Sequence, residues 1–158
     1  MKKRISKNNI LLSLICIVLL LPASCVKSAE KKDVETVIRA YNNALEKAFE
    51  TKDFGPLKDL TTEREYNKAT IYIMSYAGQD ERLSAHLIKF DIKRTAISGN
   101  SADAVTSEEW EYERVNMATG EAVTPYTLYT YEMNYKLLKD GDKWKVDQLK
   151  IIKEDQKH

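Results

Sequence analysis

With 158 residues, 43% of them hydrophobic, the chain is long enough for one hydrophobic core and short for two. Its formal charge of +1 hides a segregation: Lys2, Lys3, Arg4, Lys7 and Lys27 all precede the first acid, Glu30, and from Glu30 onward 20 basic residues face 24 acidic ones. A domain carrying about −4 lacks the basic surface from which a general nucleic-acid binder draws its affinity, and that class is excluded.

Residues 1–29 have the three-part form of an export signal: a basic stretch from Lys2 to Lys7, an apolar run from Ile10 to Leu21, and small residues at Pro22-Ala23-Ser24-Cys25. The run is short for a membrane span, with about 17 uncharged residues between Asn9 and Lys27 where roughly 20 are needed. Cys16 lies inside the apolar run and is lost on cleavage, which leaves Cys25 as a lone thiol. The apolar run, Ala23-Ser24 and Cys25 together resemble a bacterial lipoprotein signal, in which the cysteine is acylated and becomes the first residue. The resemblance implies a lipid tether on Cys25; a soluble periplasmic or secreted form and an uncleaved anchor are the alternatives. All three place residues 30–158 outside the cytoplasm, because the basic end of the signal stays inside.

After a charged connector, Glu30 to Asp33, apolar residues recur at Val34, Val37, Ile38, Tyr41, Leu45, Ala48 and Phe49, the stripe of an amphipathic helix that stops before Gly55-Pro56. Phe54, Leu57 and Leu60 suit a short helical turn. Thr62 and Glu65 have the spacing of a capping box for a second long helix, Glu63 to about Ala77. Its middle, Ala69 to Met74, is apolar nearly all round, so it is either deeply buried or partly strand.

From His86 the period changes to two. Ile88, Phe90 and Ile92 alternate with Lys89, Asp91 and Lys93; Ser98-Gly99-Asn100-Ser101 turns the chain; Ala104 to Val115 is a second strand. Pro125 predicts an irregular start to the third. Tyr126 to Ile152 reads as a hairpin about Asp140-Gly141-Asp142, with Tyr129, Tyr131, Met133, Tyr135 and Leu137 on one face. Trp144 and Val146 share a face, whereas after Asp147-Gln148 the apolar Leu149 and Ile151 are out of phase with them, which predicts a bulge or a bend. Lys150 to His158 reads as a frayed charged tail.

Helices first and a four-stranded antiparallel meander after them define an α+β domain, with the helices on one face of a curved sheet. The order of YNNALEKAFETKDFGPLKDL and then YTYEMNYKLL-KDGDKWKVDQLKI resembles the NTF2-like (cone-shaped α+β) superfamily. Within it, the Tyr-rich strand, Asp-Gly turn and Trp-Lys-Val strand are similar to small exported lipoproteins and to the inner-membrane-side domain of plastid-division proteins. That superfamily holds enzymes, binding modules and scaffolds, so the resemblance implies a shape and not a chemistry.

The acids Glu108, Glu109, Glu111 and Glu113 surround Trp110 and Tyr112. Alternation puts Glu109, Glu111 and Glu113 on a solvated face, opposite lysines such as Lys136 and Lys145. Glu108 falls beside Trp110 and Tyr112. A carboxylate among aromatic rings in a water-poor pocket suits a general base, and Glu108, or Glu132 on the next strand, is the candidate. His86 is the one histidine inside the predicted fold, either a proton shuttle or a surface residue. With no cysteine pair beside it, a zinc or copper site lacks ligands, and no cofactor motif is present. Trp110, Tyr112, Tyr129 and Tyr131 either fill the core or line the mouth of a cone and stack on a ligand.

Three functions remain. The first is an exported, membrane-tethered, non-catalytic binding or accessory module that holds an envelope protein or a small ligand in its cone or on its sheet face. The second is a cone-pocket hydrolase or isomerase using Glu108 or Glu132, and the third is a structural homodimer.

Overall fold

The computed structural model describes residues 23–77 and 79–157. Three helices precede four strands: α1 (Ala23–Thr51), α2 (Gly55–Leu60), α3 (Glu63–Ala77), β1 (Glu81–Ser98), β2 (Ser101–Asn116), β3 (Ala122–Asp140) and β4 (Lys143–Lys157). The strands form one antiparallel sheet in the order β1-β2-β3-β4, curved under the helices, so the domain is α+β as its element order implied. Residues 1–29, which read as an export signal, lie mostly outside the described residues.

The predicted stripe of α1 is its buried face: Val34, Ile38, Tyr41, Ala48 and Phe49 are nearly inaccessible, as are Asn42 and Ala44 between them. The helix is longer than its apolar stripe. Glu30 to Asp33, expected to be a connector, are helical, and Glu30 accepts a 2.7 Å bond from Lys139 Nζ on β3. Leu57 from α2 is completely buried.

The expected capping box does not form. The Thr62 amide donates to the Val146 carbonyl, its hydroxyl donates to Asp147 Oδ1 at 2.9 Å, and Glu65 turns inward. Val146 and Asp147 thus supply partners that the box would have supplied within the helix. Arg64 Nη2 donates to Asp147 Oδ2 at 2.7 Å, and Lys68 Nζ reaches the Leu149 carbonyl at 2.6 Å. Ala69 to Met74 is wholly helical: Ala69 and Ile73 face the core, while Ile71 is 71% exposed.

The strands depart from the simple alternation at bulges. Ile88 is the extra residue between Leu87 and Lys89, and it points to solvent; Leu83, Ala85 and Leu87 face the helices before it, Phe90 and Ile92 after it. A bulge at Pro125 and Tyr126 opposes Glu113, as the missing proline amide required. Asp147 is the extra residue between Val146 and Gln148, which is why Trp144, Val146, Leu149 and Ile151 all turn toward the helix side. Gly141 takes φ 61° in the hairpin turn.

Two strand ends were misjudged from sequence. β1 begins at Glu81 and not His86, and the supposed frayed tail is paired, with Gln156 opposite Tyr129 and Glu154 opposite Tyr131. An edge strand need only satisfy β3's backbone groups, and beyond the helices its side chains meet water on both faces, so charged residues serve.

Asp147 holds α3 to the bulge through two side chains. Asp147→Ala should lower stability by about 1–2 kcal/mol, since Arg64 is largely exposed. Amide exchange should rise in α3 before it rises in β2; uniform loss of protection across the domain would contradict a local anchor.

Candidate functional site

Between α1, α3 and the concave sheet lies a cavity of about 310 Å³. Its walls are Leu45, Phe49, Ala69, Tyr72, Met133 and Ile151; its polar end is built by Tyr41, Asn42, Glu65, Glu108 and Tyr135. Period two on β2 and β3 places these groups. The bulge-free run from Ser101 to Tyr112 keeps Thr106, Glu108 and Trp110 facing inward, opposite Met133, Tyr131 and Tyr129 of β3.

Glu108 is inaccessible to solvent. It accepts from Thr106 Oγ1 and the Tyr135 hydroxyl at its Oε1, and from Trp110 Nε1 at its Oε2, all at 2.8 Å. It forms no ion pair among the described residues. Glu65, 2% exposed, accepts from the Tyr41 hydroxyl at 3.1 Å and the Leu149 amide at 3.2 Å. That amide sits just past the β4 bulge, so the bulge supplies a donor to the site. Lys68 stands 3.6 Å from Glu65, with most of its side chain in water. Asn42 is fully buried; its Oδ1 lies 3.0 Å from the Tyr135 hydroxyl and its Nδ2 has no partner.

The aromatic residues singled out from sequence gather on the helix-facing side. Trp110 stacks on Tyr112 with centroids 6.0 Å apart, Tyr129 stacks on Tyr131 at 5.9 Å, and Tyr112 meets both tyrosines edge-on. Trp110 and Tyr131 are buried, whereas Tyr112 and Tyr129 are half-buried. Tyr72, Tyr112, Tyr131 and Ile151 form the partition to a second, more polar cleft of about 370 Å³, which reaches Glu113, Arg114 and Glu154.

The candidates part company here. Glu108 points inward with Trp110, as alternation required, but Glu132 is on the exposed outer face opposite Ser107 and Lys153. His86 is outside the cavity lining and bonds Glu46 of α1 at 3.0 Å. Glu109 lies on the outer face as expected; its ion pair is with Lys157, since Lys145 is taken by Asp140. Sequence reasoning did not single out Asn42, and it gave Glu65 to a capping box and not to a site. Each sits next to or within an apolar helical face, a position where an amide or acid is unusual, and that was the available signal. Among the described residues no three of His, Cys, Asp and Glu approach closely enough to hold a metal.

Two solved structures share this architecture. The intermembrane-space region of the chloroplast protein ARC6 superposes with a TM-score of 0.68 at 15% identity, over 76% of this chain and 94% of that one. The Kfla4162 protein from Kribbella flavida gives a TM-score of 0.53 at 10% identity, over 80% and 95%. At such identities the likeness is one of fold; the first of the two supports a structural relationship with the plastid-division domain that the sequence resembles. No family model matches the chain, and no curated protein does. No helix among the described residues is long and apolar enough to cross a membrane.

Burial shapes the site's response to alkali. Desolvation raises the hydroxyl of Tyr131 to about 12, with Glu154 adding to the effect, and raises Tyr41, Tyr72, Tyr112 and Tyr135 above the usual tyrosine range. Unfolded tyrosines lose protons near pH 10, so above that value the native state binds more protons than the unfolded one and stability falls as pH rises. The urea midpoint should therefore hold up to about pH 9.5 and drop steeply by about pH 11, with tyrosinate absorbance appearing together with unfolding. Tyrosinate appearing in full before the fold is lost would show that these hydroxyls are open to solvent.

Proposed function

We propose that this chain is an exported, membrane-tethered, non-catalytic binding module of the NTF2-like type, which holds a small ligand in its cone. The observation that carries this reading is the cavity itself, open among apolar and tyrosine side chains and ended by a buried polar cluster. A small-molecule site commonly pairs an apolar lining with a few convergent polar groups, in a volume from about 300 Å³ upward. Glu108 already accepts three hydrogen bonds, and the other two candidates for proton transfer, Glu132 and His86, lie outside the lining. That arrangement supports holding over turnover. The basic leader and Cys25 support export and a lipid tether, and likeness to a domain of an intermembrane space accords with an accessory role in an envelope.

Indole is small enough for the cavity and serves as a neutral probe. It should shift the Met133 methyl resonance saturably in the wild type and leave it unmoved in Ala69→Trp, where the added ring occupies the space. Absence of any shift in the wild type would remove the pocket from consideration. The tether is tested separately: a bacterial host fed radiolabelled palmitate should label the wild type and not Cys25→Ala, and an unlabelled wild type would exclude lipidation.

A further inference from the structure

Hydrogen-bond bookkeeping at the polar end of the cavity defines the ligand's chemistry, on the assumption that the cavity is a binding site at all. Tyr135 has one hydroxyl proton and two acceptors within reach, Glu108 Oε1 at 2.8 Å and Asn42 Oδ1 at 3.0 Å. The carboxylate is the nearer and stronger acceptor and takes the proton. That leaves two lone-pair oxygens, of Asn42 and of Tyr135, facing each other, while Asn42 Nδ2 has nothing to donate to. An amide's two ends are told apart only by their partners. Turning the Asn42 amide over lets Nδ2 donate to the Tyr135 oxygen and completes a chain from Asn42 through Tyr135 to Glu108. The unpartnered atom is then the carbonyl Oδ1 of a fully buried residue that lines the cavity.

The hydroxyl and indole donors at this end are now spent, which leaves the second N–H of Asn42 and, at the rim, the Lys68 ammonium. The hydroxyls of Tyr41, Thr106 and Tyr135 and the indole N–H of Trp110 all point at carboxylate oxygens. Beside Glu108 the remaining capacity is chiefly that of acceptors: Asn42 Oδ1 and the free lone pair of Glu108 Oε2, which takes only one bond. The formal charges agree. Glu65 and Glu108 bring two negative charges to the lining and Lys68 one positive, and Lys68 lies at the solvent edge beside Glu65, leaving Glu108 without a counter-ion. A buried carboxylate in that position is stabilised by a cation that also donates hydrogen bonds.

We propose that the cavity takes the protonated amine of a small apolar molecule, with its ammonium between Asn42 Oδ1 and Glu108 Oε2 and its hydrocarbon part against Phe49, Ala69, Met133 and Ile151. The faces of the surrounding tyrosines add attraction for the cation. A hydroxyl in the same place makes one donor bond where an ammonium makes two or three, and it leaves the charge of Glu108 uncompensated.

The test is a matched pair, benzylamine and benzyl alcohol, titrated at neutral pH and followed by the Met133 methyl resonance. Charge-assisted hydrogen bonds are worth roughly 1.5–3 kcal/mol, so the amine should bind the wild type at least about tenfold more tightly. In Glu108→Gln that preference should fall toward equality. If the alcohol binds wild type as tightly as the amine, or if the variant keeps the full preference, the assignment is overturned. Should Glu108→Gln fail to fold, the wild-type pair still decides. Indole separates the two levels: indole binding without a preference for the amine sinks the ligand class and leaves the pocket, whereas no binding of any probe sinks both.

Discussion

A carboxylate without contact with water must find its stabilisation inside the protein, and the positions of Thr106, Trp110, Tyr135 and Asn42 follow from that requirement at Glu108. Leaving such a group unpaired would cost several kcal/mol, a large share of the stability of an ordinary domain. The donors come from two strands, Thr106 and Trp110 from β2 and Tyr135 from β3, and Asn42 links them to α1. The network therefore fixes the register of β2 against β3 and the rotation of α1 above them. A slip of one residue in either strand would turn Glu108 or Tyr135 to the outer face and expose the other's unmet bonds.

The bulges play the complementary part, since a sheet of strands this long alternates strictly only if it stays regular. By adding Ile88 to β1 and Asp147 to β4, the chain changes which residues face inward at the point where the sheet bends beneath the helices. At β4 the irregularity has a second use. The Leu149 amide and carbonyl meet Glu65 and Lys68, so the cavity wall and the attachment of α3 are built by the same backbone segment. Sheet curvature, helix docking and pocket polarity are thus coupled through a few residues.

How much of this could be read in the sequence depends on what each signal responds to. Period-two alternation reports burial, so the inward face of β3 and the break at Asp147 were legible, as was the inward turn of Glu108. The apolar stripe gave the buried face of α1 but not its true start, because Glu30 to Asp33 are helical by continuity with that stripe and are held by Lys139, a partner 109 residues away. The same limit hid the capping of α3: Thr62 and Glu65 have the spacing of a local box, but their partners are Asp147, Leu149 and Tyr41. Asn42 was missed because a stripe analysis treats a polar residue within an apolar face as an interruption, when it is a polar group that the fold has buried; Glu65 was read as a cap because its spacing from Thr62 fits one.

If the polar cluster served stability alone, it would be a costly way to obtain it. Buried ionic and polar groups replaced by apolar side chains of similar volume commonly leave a fold as stable or more so. A leucine at Glu108 and a phenylalanine at Tyr135 would remove the need for Thr106, Trp110 and Asn42 to supply or receive hydrogen bonds, and a bulkier residue at Ala69 would close the space beside them. The chain instead keeps the space, lines it with aromatic rings, and ends it in a cluster of buried oxygen atoms. Space beside buried acceptors suits an occupant that brings hydrogen-bond donors, and the apolar wall opposite suits hydrocarbon, so the buried acid and the cavity fit the same kind of molecule.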